Sequence, residues 1–168
     1  MIISEENREK LAMQYDMLAD KFDKLYREGT ERGREAMTVA LDKAHEQLTK
    51  LGEFSAEQGE ELKHYLARDL DQTISDAKQL GEEAKVRLHP ARLGAGALSS
   101  LANALELTGN ALHTLSEKAK EKLTYKTGEM TSAGTLTCKQ CGYQVQLKKT
   151  GHIPPCAKCS GTQFSKGF

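Results

Sequence analysis

TCKQCGYQVQLKKTGHIPPCAKCSGTQF, Thr137 to Phe164, is the stretch whose spacing decides how the C-terminal part of this chain folds. Cys138 and Cys141 form one C-x-x-C pair, Cys156 and Cys159 form another, and fourteen residues lie between the pairs. Zinc prefers four soft donors in a tetrahedron, with Zn–S of about 2.3 Å, and a C-x-x-C turn presents two thiolates along one edge of it. A hairpin of this length leaves the first pair and returns with the second to supply the other edge. The intervening residues fit that hairpin. Tyr143, Val145 and Leu147 alternate with Gln144, Gln146 and Lys148, the period of a half-buried strand. Gly142 allows a tight turn while backbone N–H groups point at sulfur. Gly151 is a turn residue, Pro154 and Pro155 stiffen the approach to the second pair, and Thr162 to Phe164 can form a third short strand. Four cysteines complete a shell, so His152 reads as a turn residue. The pattern predicts one structural Zn2+ held by Cys138, Cys141, Cys156 and Cys159.

The cellular setting agrees with metal ligation. The N-terminus MIISEENREK has no basic start followed by an apolar run, so no secretory signal is expected. The most apolar window, Leu93 to Leu115, is broken by Asn103, Glu106, Asn110 and His113, whereas a membrane span needs about 20 mostly apolar residues. The expected location is the cytoplasm, where cysteines stay reduced and C-x-x-C pairs serve as metal ligands more often than as disulfides.

Upstream of the cysteines the chain reads as helix. Aromatics are 5% of the 168 residues, Trp is absent and charged residues are 29%, which favours long helices with narrow apolar seams over a thick core. Leu11, Tyr15, Leu18, Phe22 and Leu25 follow steps of four and three, the spacing of one helical face. Ser4 is a candidate N-cap, with Glu5 and Glu6 in the first turn where the helix dipole favours anions. A second series runs Met37, Leu41, Ala44, Leu48 and Leu51. Steps of four through Gly29 and Gly33 keep the two series in phase, so residues 4–51 are compatible with one helix or with two. Gly52 suits a helix end. Ser55 with Gln58 forms an S-x-x-Q capping box for a helix carrying Leu62, Leu66, Leu70, Ile74, Ala77, Leu80, Ala84 and Leu88. Pro90 stops or kinks that helix at His89. A last helix carries Leu101, Leu105, Thr108, Leu112, Leu115 and Ala119. The predicted fold is mainly α: long antiparallel helices, as a bundle or coiled-coil hairpin, over residues 1–124, a linker at 125–134, and a small β zinc ribbon at 135–168.

The knuckle CKQCG, the approach GHIPPC and the closing C-x-x-C before an aromatic resemble a zinc ribbon of the rubredoxin-like group. With the Glu- and Lys-rich helical part ahead of it, the whole chain resembles the YbeL-type bacterial zinc-ribbon-containing proteins. That resemblance implies a cytoplasmic, metal-binding chain and no particular reaction. One departure concerns the second pair, which is followed by Ser160 and then Gly161, where many ribbons have glycine at once.

Charge and motif content narrow the function. From Met130 to Phe168 there are five lysines and no acid, leaving 19 basic and 24 acidic residues before them, a net of −5. The chain is thus an acidic body with a basic tail module, each expected to fold by its own logic. A closed four-sulfur shell has no open position for water, which disfavours metal-assisted hydrolysis. The scattered histidines make no metal motif, and no nucleophile elbow, phosphate loop or dinucleotide fingerprint is present. The expected role is therefore non-enzymatic, a scaffold or adaptor whose ribbon contacts a protein partner or whose helices pair with a second copy. Nucleic-acid binding is an alternative. The formal −2 charge of a four-thiolate zinc centre and the lack of Arg in the module leave only weak, salt-sensitive phosphate contact. A redox or zinc-responsive switch is another, with iron in place of zinc or with oxidation expelling the metal.

Overall fold

The computed structural model describes residues 5–31, 33–80 and 123–167. Three helices come first: α1 (Glu5–Glu28), α2 (Arg34–Lys50) and α3 (Ala56–Leu80). The glycine region separates α1 from α2. Gly33 takes φ 105 and ψ −173, a backbone that cannot continue a helix, and its carbonyl accepts the first bond of α2 from Met37 N–H at 3.1 Å. The phase that runs unbroken from Leu25 to Met37 therefore belongs to two helices.

The next break follows the local signals. Gly52, at φ 77, donates its N–H to Thr49 O at 3.0 Å, and Glu53 N–H reaches Leu48 O at 3.1 Å. This pair of bonds is a Schellman closure of α2. Across the loop, Gln58 N–H donates to Ser55 Oγ at 3.2 Å and Ser55 N–H donates to Gln58 Oε1 at 3.4 Å, the reciprocal bonds of the expected capping box.

The helices share one apolar core. Tyr15, Leu18 and Phe22 of α1, Leu41, Ala44 and Leu48 of α2, and Leu62, Leu66 and Leu70 of α3 are buried in it, with Leu11, Leu25 and Met37 at its margin. Leu51 was expected on the α2 face. It is 70% exposed instead, because it caps the helix where the chain turns away from the core. The expected Ser4 cap, the side chains from Ile74 to Leu80, the stop at Pro90 and the helix from Leu101 to Ala119 lie outside the described residues.

The C-terminal part is β. Strands β1 (Tyr125–Lys126), β6 (Gln163–Gly167), β3 (Gly134–Cys138) and β4 (Gln144–Leu147) form an antiparallel sheet in that order, and β2 (Met130–Thr131) pairs with β5 (Gly151–His152). The β3–β4 ladder runs from Gly134↔Leu147 to Thr137↔Gln144, and β3 meets β6 from Thr135↔Gly167 to Cys138↔Phe164.

Residues 125–134, expected as a linker, carry β1 and β2. Each strand is two residues long, too short to show the two-residue alternation that betrays a strand in sequence. Yet Tyr125, Met130, Thr131 and Ser132 are all buried, and Met130 enters the helical core itself.

Candidate metal centre

Cys138 closes β3 and Cys141 lies in the turn after it, while Cys156 and Cys159 occupy the turn between β5 and β6. The two knuckles repeat one geometry. Gly142 N–H donates to Cys138 O at 2.9 Å, and Ser160 N–H donates to Cys156 O at 2.8 Å. Gly142 has φ 71 and Ser160 has φ 56, so serine here adopts the left-handed conformation that glycine supplies in the first knuckle. The departure noted at Ser160 therefore leaves the turn intact. Gly161 is needed for a different reason. A Cβ there would lie 3.1 Å from the sulfurs of Cys138 and Cys159 and 2.8 Å from Gln140 Oε1.

The structure brings all four predicted cysteines together. Their Sγ atoms lie within 4.8 Å of one another, with Cys138–Cys159 at 3.7 Å and Cys141–Cys156 at 3.6 Å. A tetrahedron with Zn–S of about 2.3 Å has edges of about 3.8 Å. A disulfide would need about 2.05 Å, and all four thiols are free. The donor set and spacing fit a zinc ion, which Cys138, Cys141, Cys156 and Cys159 would hold and which would supply folding free energy to the module. Cys138 and Cys156 are buried against Tyr125, Leu136, Ile153 and Phe164, so the sulfurs sit on a small apolar core of their own.

Local dipoles favour the thiolate at Cys156 and not at Cys159. Burial opposes ionisation of Cys156, but the backbone N–H groups of Cys159 and Lys158, together with the Cys141 and Cys159 thiols, bring it down to about 7. Cys159 is pushed up to about 12, chiefly by hydrogen bonding with Cys141. His152, expected in a turn, lies in β5 opposite Met130, with Nδ1 2.7 Å from Gly128 O.

A second polar cluster, which sequence reasoning missed, joins the metal module to the helices. Asp69, in α3, is 2% exposed. Its Oδ2 accepts from Tyr15 OH at 2.7 Å, Thr131 OH at 2.8 Å, Ser132 N–H at 2.9 Å, Ser132 OH at 3.1 Å and Lys166 Nζ at 3.4 Å. Lys166, 5% exposed, also donates to Ser132 O at 3.0 Å and to Thr131 Oγ1 at 2.8 Å. Burial alone would raise the Asp69 pKa. Lys166, the Ser132 N–H, Arg68 and Tyr15 together outweigh burial and hold it below the ordinary carboxylate value. The Tyr15 phenol is pushed well up by burial and by Asp69 beside it. Arg68 flanks the cluster, with its guanidinium 4.0 Å from the Tyr125 ring centroid, a bond to Met130 O at 2.9 Å and an ion pair with Glu129.

Two sequence signals pointed to this cluster. Asp69 lies three residues after Leu66, on the buried face of α3, where an acid needs a partner. Lys166 is two residues after buried Phe164, on the inward side of β6. Neither signal identifies the other residue.

The profile of a family described as a zinc-ribbon containing domain matches residues 24–167, from within α1 through β6. The uncharacterized protein YbeL of Escherichia coli strain K12 is 22% identical over 157 residues, covering 94% of this chain and 96% of that protein. The YbeL proteins of Escherichia coli O6:H1 strain CFT073 and of O157:H7 match with the same identity and coverage. No solved structure matches the chain. Among the described residues, no helix is long and apolar enough to cross a membrane.

Proposed function

Because the chain belongs to the zinc-ribbon containing domain family, we propose that it is a cytoplasmic, non-enzymatic scaffold or adaptor. Its ribbon holds one structural zinc ion and meets a protein partner or a second copy. The observation that carries this reading is the closed set of four cysteine sulfurs within 4.8 Å of one another. Four thiolates fill a tetrahedral shell, so the metal's part is to fold a surface. That surface has features suited to contact. Strand β4 lies at the edge of its sheet, beside Tyr143 at 45% exposure and the exposed Lys148 and Lys149. Among the described residues that edge is unpaired, and an unpaired edge next to an aromatic side chain can accept an added strand.

Nucleic-acid binding is the second reading, favoured by the exposed Lys139, Lys148, Lys149 and Lys158. It is weakened by Lys166, the fifth lysine of the module, which is turned inward to Asp69 and unavailable to phosphate. With the formal −2 of a four-thiolate zinc centre, the outward charge left for a polyanion is small.

The test is in two steps. Elemental analysis of purified protein should give about one zinc per chain, and iron with a red colour would overturn the assignment. A crosslinked pull-down from the native cell should then compare intact protein with Cys141→Ser. Protein partners lost only in the variant support the adaptor reading. Nucleic acid recovered in their place, and released by moderate salt, favours the second reading. Recovery unaffected by the substitution refutes both.

A further inference from the structure

Asp69 is a buried carboxylate most of whose hydrogen-bond donors come from the metal module, with Arg68 of its own helix 3.7 Å from Oδ1. Of the five donors on its Oδ2, Tyr15 OH belongs to α1, and the remaining four come from Thr131, Ser132 and Lys166 of the metal module. Take the module away and an α3 carboxylate, 2% exposed in the docked state, keeps only Tyr15 of these five donors. Lys166 keeps Thr131 and Ser132 of its own module but loses its acid, and a buried ammonium without a counter-charge is costly as well.

The strand that carries Lys166 is held in place at the metal centre. Strand β6 begins at Gln163, four residues after Cys159, and pairs with β3, which ends in Cys138. In that ladder Phe164 is the partner of Cys138 and Lys166 the partner of Leu136. Lys166 is thus two residues along the same ladder from a sulfur-bearing residue. The module's apolar core consists of Tyr125, Leu136, Ile153 and Phe164 with Cys138 and Cys156. A core that small does not hold a module of this size without a staple, and metal binding to it is folding free energy.

We infer that Lys166 and Asp69 form a metal-dependent latch. The liganded thiolates fix β3 and β6, β6 delivers Lys166 to Asp69, and loss of the metal releases the module from the α1–α3 face centred on Tyr15 and Asp69. Thr150 Oγ1, bonded to Asp16 Oδ1 at 2.7 Å, and Met130 in the helical core are released with it. The occupancy of four sulfurs is read out as the exposure of an acidic, tyrosine-bearing helical surface. If Lys166 and Asp69 were a structural pair alone, substituting them would leave zinc affinity untouched. Two linked equilibria must influence each other equally in both directions, so the latch residues must tune a metal site they do not touch.

The experiment uses the full chain. Zinc affinity is measured by competition with a chromogenic chelator for the wild type, Lys166→Met, Asp69→Asn and Tyr15→Phe. We expect Lys166→Met and Asp69→Asn to bind zinc about tenfold more weakly, inside the roughly 5–150-fold span of ordinary couplings, and Tyr15→Phe to lose a few-fold. Hydrogen exchange on the wild type gives the reverse direction and requires no variant. Zinc removal should raise exchange in α1 and α3 around Tyr15 and Asp69 more than in the middle of α2. Zinc affinity within twofold of wild type in Lys166→Met overturns the latch, as does α1 and α3 protection that is unchanged on zinc removal. Should Asp69→Asn fail to fold, the other two variants and the exchange experiment decide the question.

Discussion

Replacing Tyr15 with Phe isolates one bond of the buried seam. Tyr15 is 1% exposed, its ring lies in the helical core, and its hydroxyl donates to Asp69 Oδ2 at 2.7 Å. Phenylalanine keeps the ring and its packing, so no large cavity forms. What disappears is a hydrogen bond to an ionised carboxylate, a class that contributes about 1.5–3 kcal/mol. Asp69 retains Thr131, Ser132 and Lys166, so the carboxylate is still well satisfied and the loss should fall at the low end, about 1.5–2 kcal/mol. With a urea m-value of about 2 kcal/mol/M, the midpoint should drop by about 0.8–1 M at unchanged m. The assay is urea unfolding of the zinc-loaded full chain followed by helical circular dichroism. Tyr26→Phe is the control. The Tyr26 hydroxyl accepts a longer, uncharged bond from Gly33 N–H at 3.3 Å, which contributes about 0.5–1 kcal/mol. If Tyr15→Phe shifted the midpoint no more than Tyr26→Phe does, the claim that Asp69 is ionised and organises the seam would be wrong.

The other predictions bear on the metal centre, the core and pH. Cys156→Ser should abolish stoichiometric zinc in elemental analysis, because one missing thiolate leaves an incomplete shell; a variant retaining a full equivalent would refute the four-sulfur site. Gly161→Ala should weaken zinc binding in chelator competition, since its Cβ would press on the sulfurs of Cys138 and Cys159 at 3.1 Å, and unchanged affinity would show that the knuckle can yield. Leu66→Ala, at a fully buried position between the helices, should cost about 2–5 kcal/mol in urea unfolding. Asp69 has a depressed pKa in the fold, so its contribution is complete above the unfolded value of about 3.9 and is lost as pH falls through the lower folded value. Wild type should therefore lose stability more steeply than Asp69→Asn below about pH 5, and parallel acid limbs would contradict an ionised Asp69.

What the sequence determined by itself is what short-range spacing encodes. Two C-x-x-C pairs fourteen residues apart place their sulfurs on one small centre, because each knuckle is closed by a backbone bond spanning four residues, Cys138 to Gly142 and Cys156 to Ser160. The α2 stop at Gly52 and the Ser55–Gln58 box at the start of α3 were legible for the same reason, as were the buried steps Tyr15–Leu18–Phe22 and Leu62–Leu66–Leu70. The glycine region stood between the two cases. Steps of four pass through Gly29 and Gly33 whether or not the helix breaks, and only the φ of 105 at Gly33 settles it. Tertiary structure alone decided the rest. Strands β1 and β2 are two residues each and carry no period, so they exist only because β6 and β5 pair with them. Asp69 and Lys166 lie 97 residues apart. Each stands in sequence on the buried side of its element, but nothing local names the other as its partner. Burying either alone would be prohibitive, and the two become stable together only when helix and ribbon close over them and supply Tyr15, Thr131 and Ser132 as well.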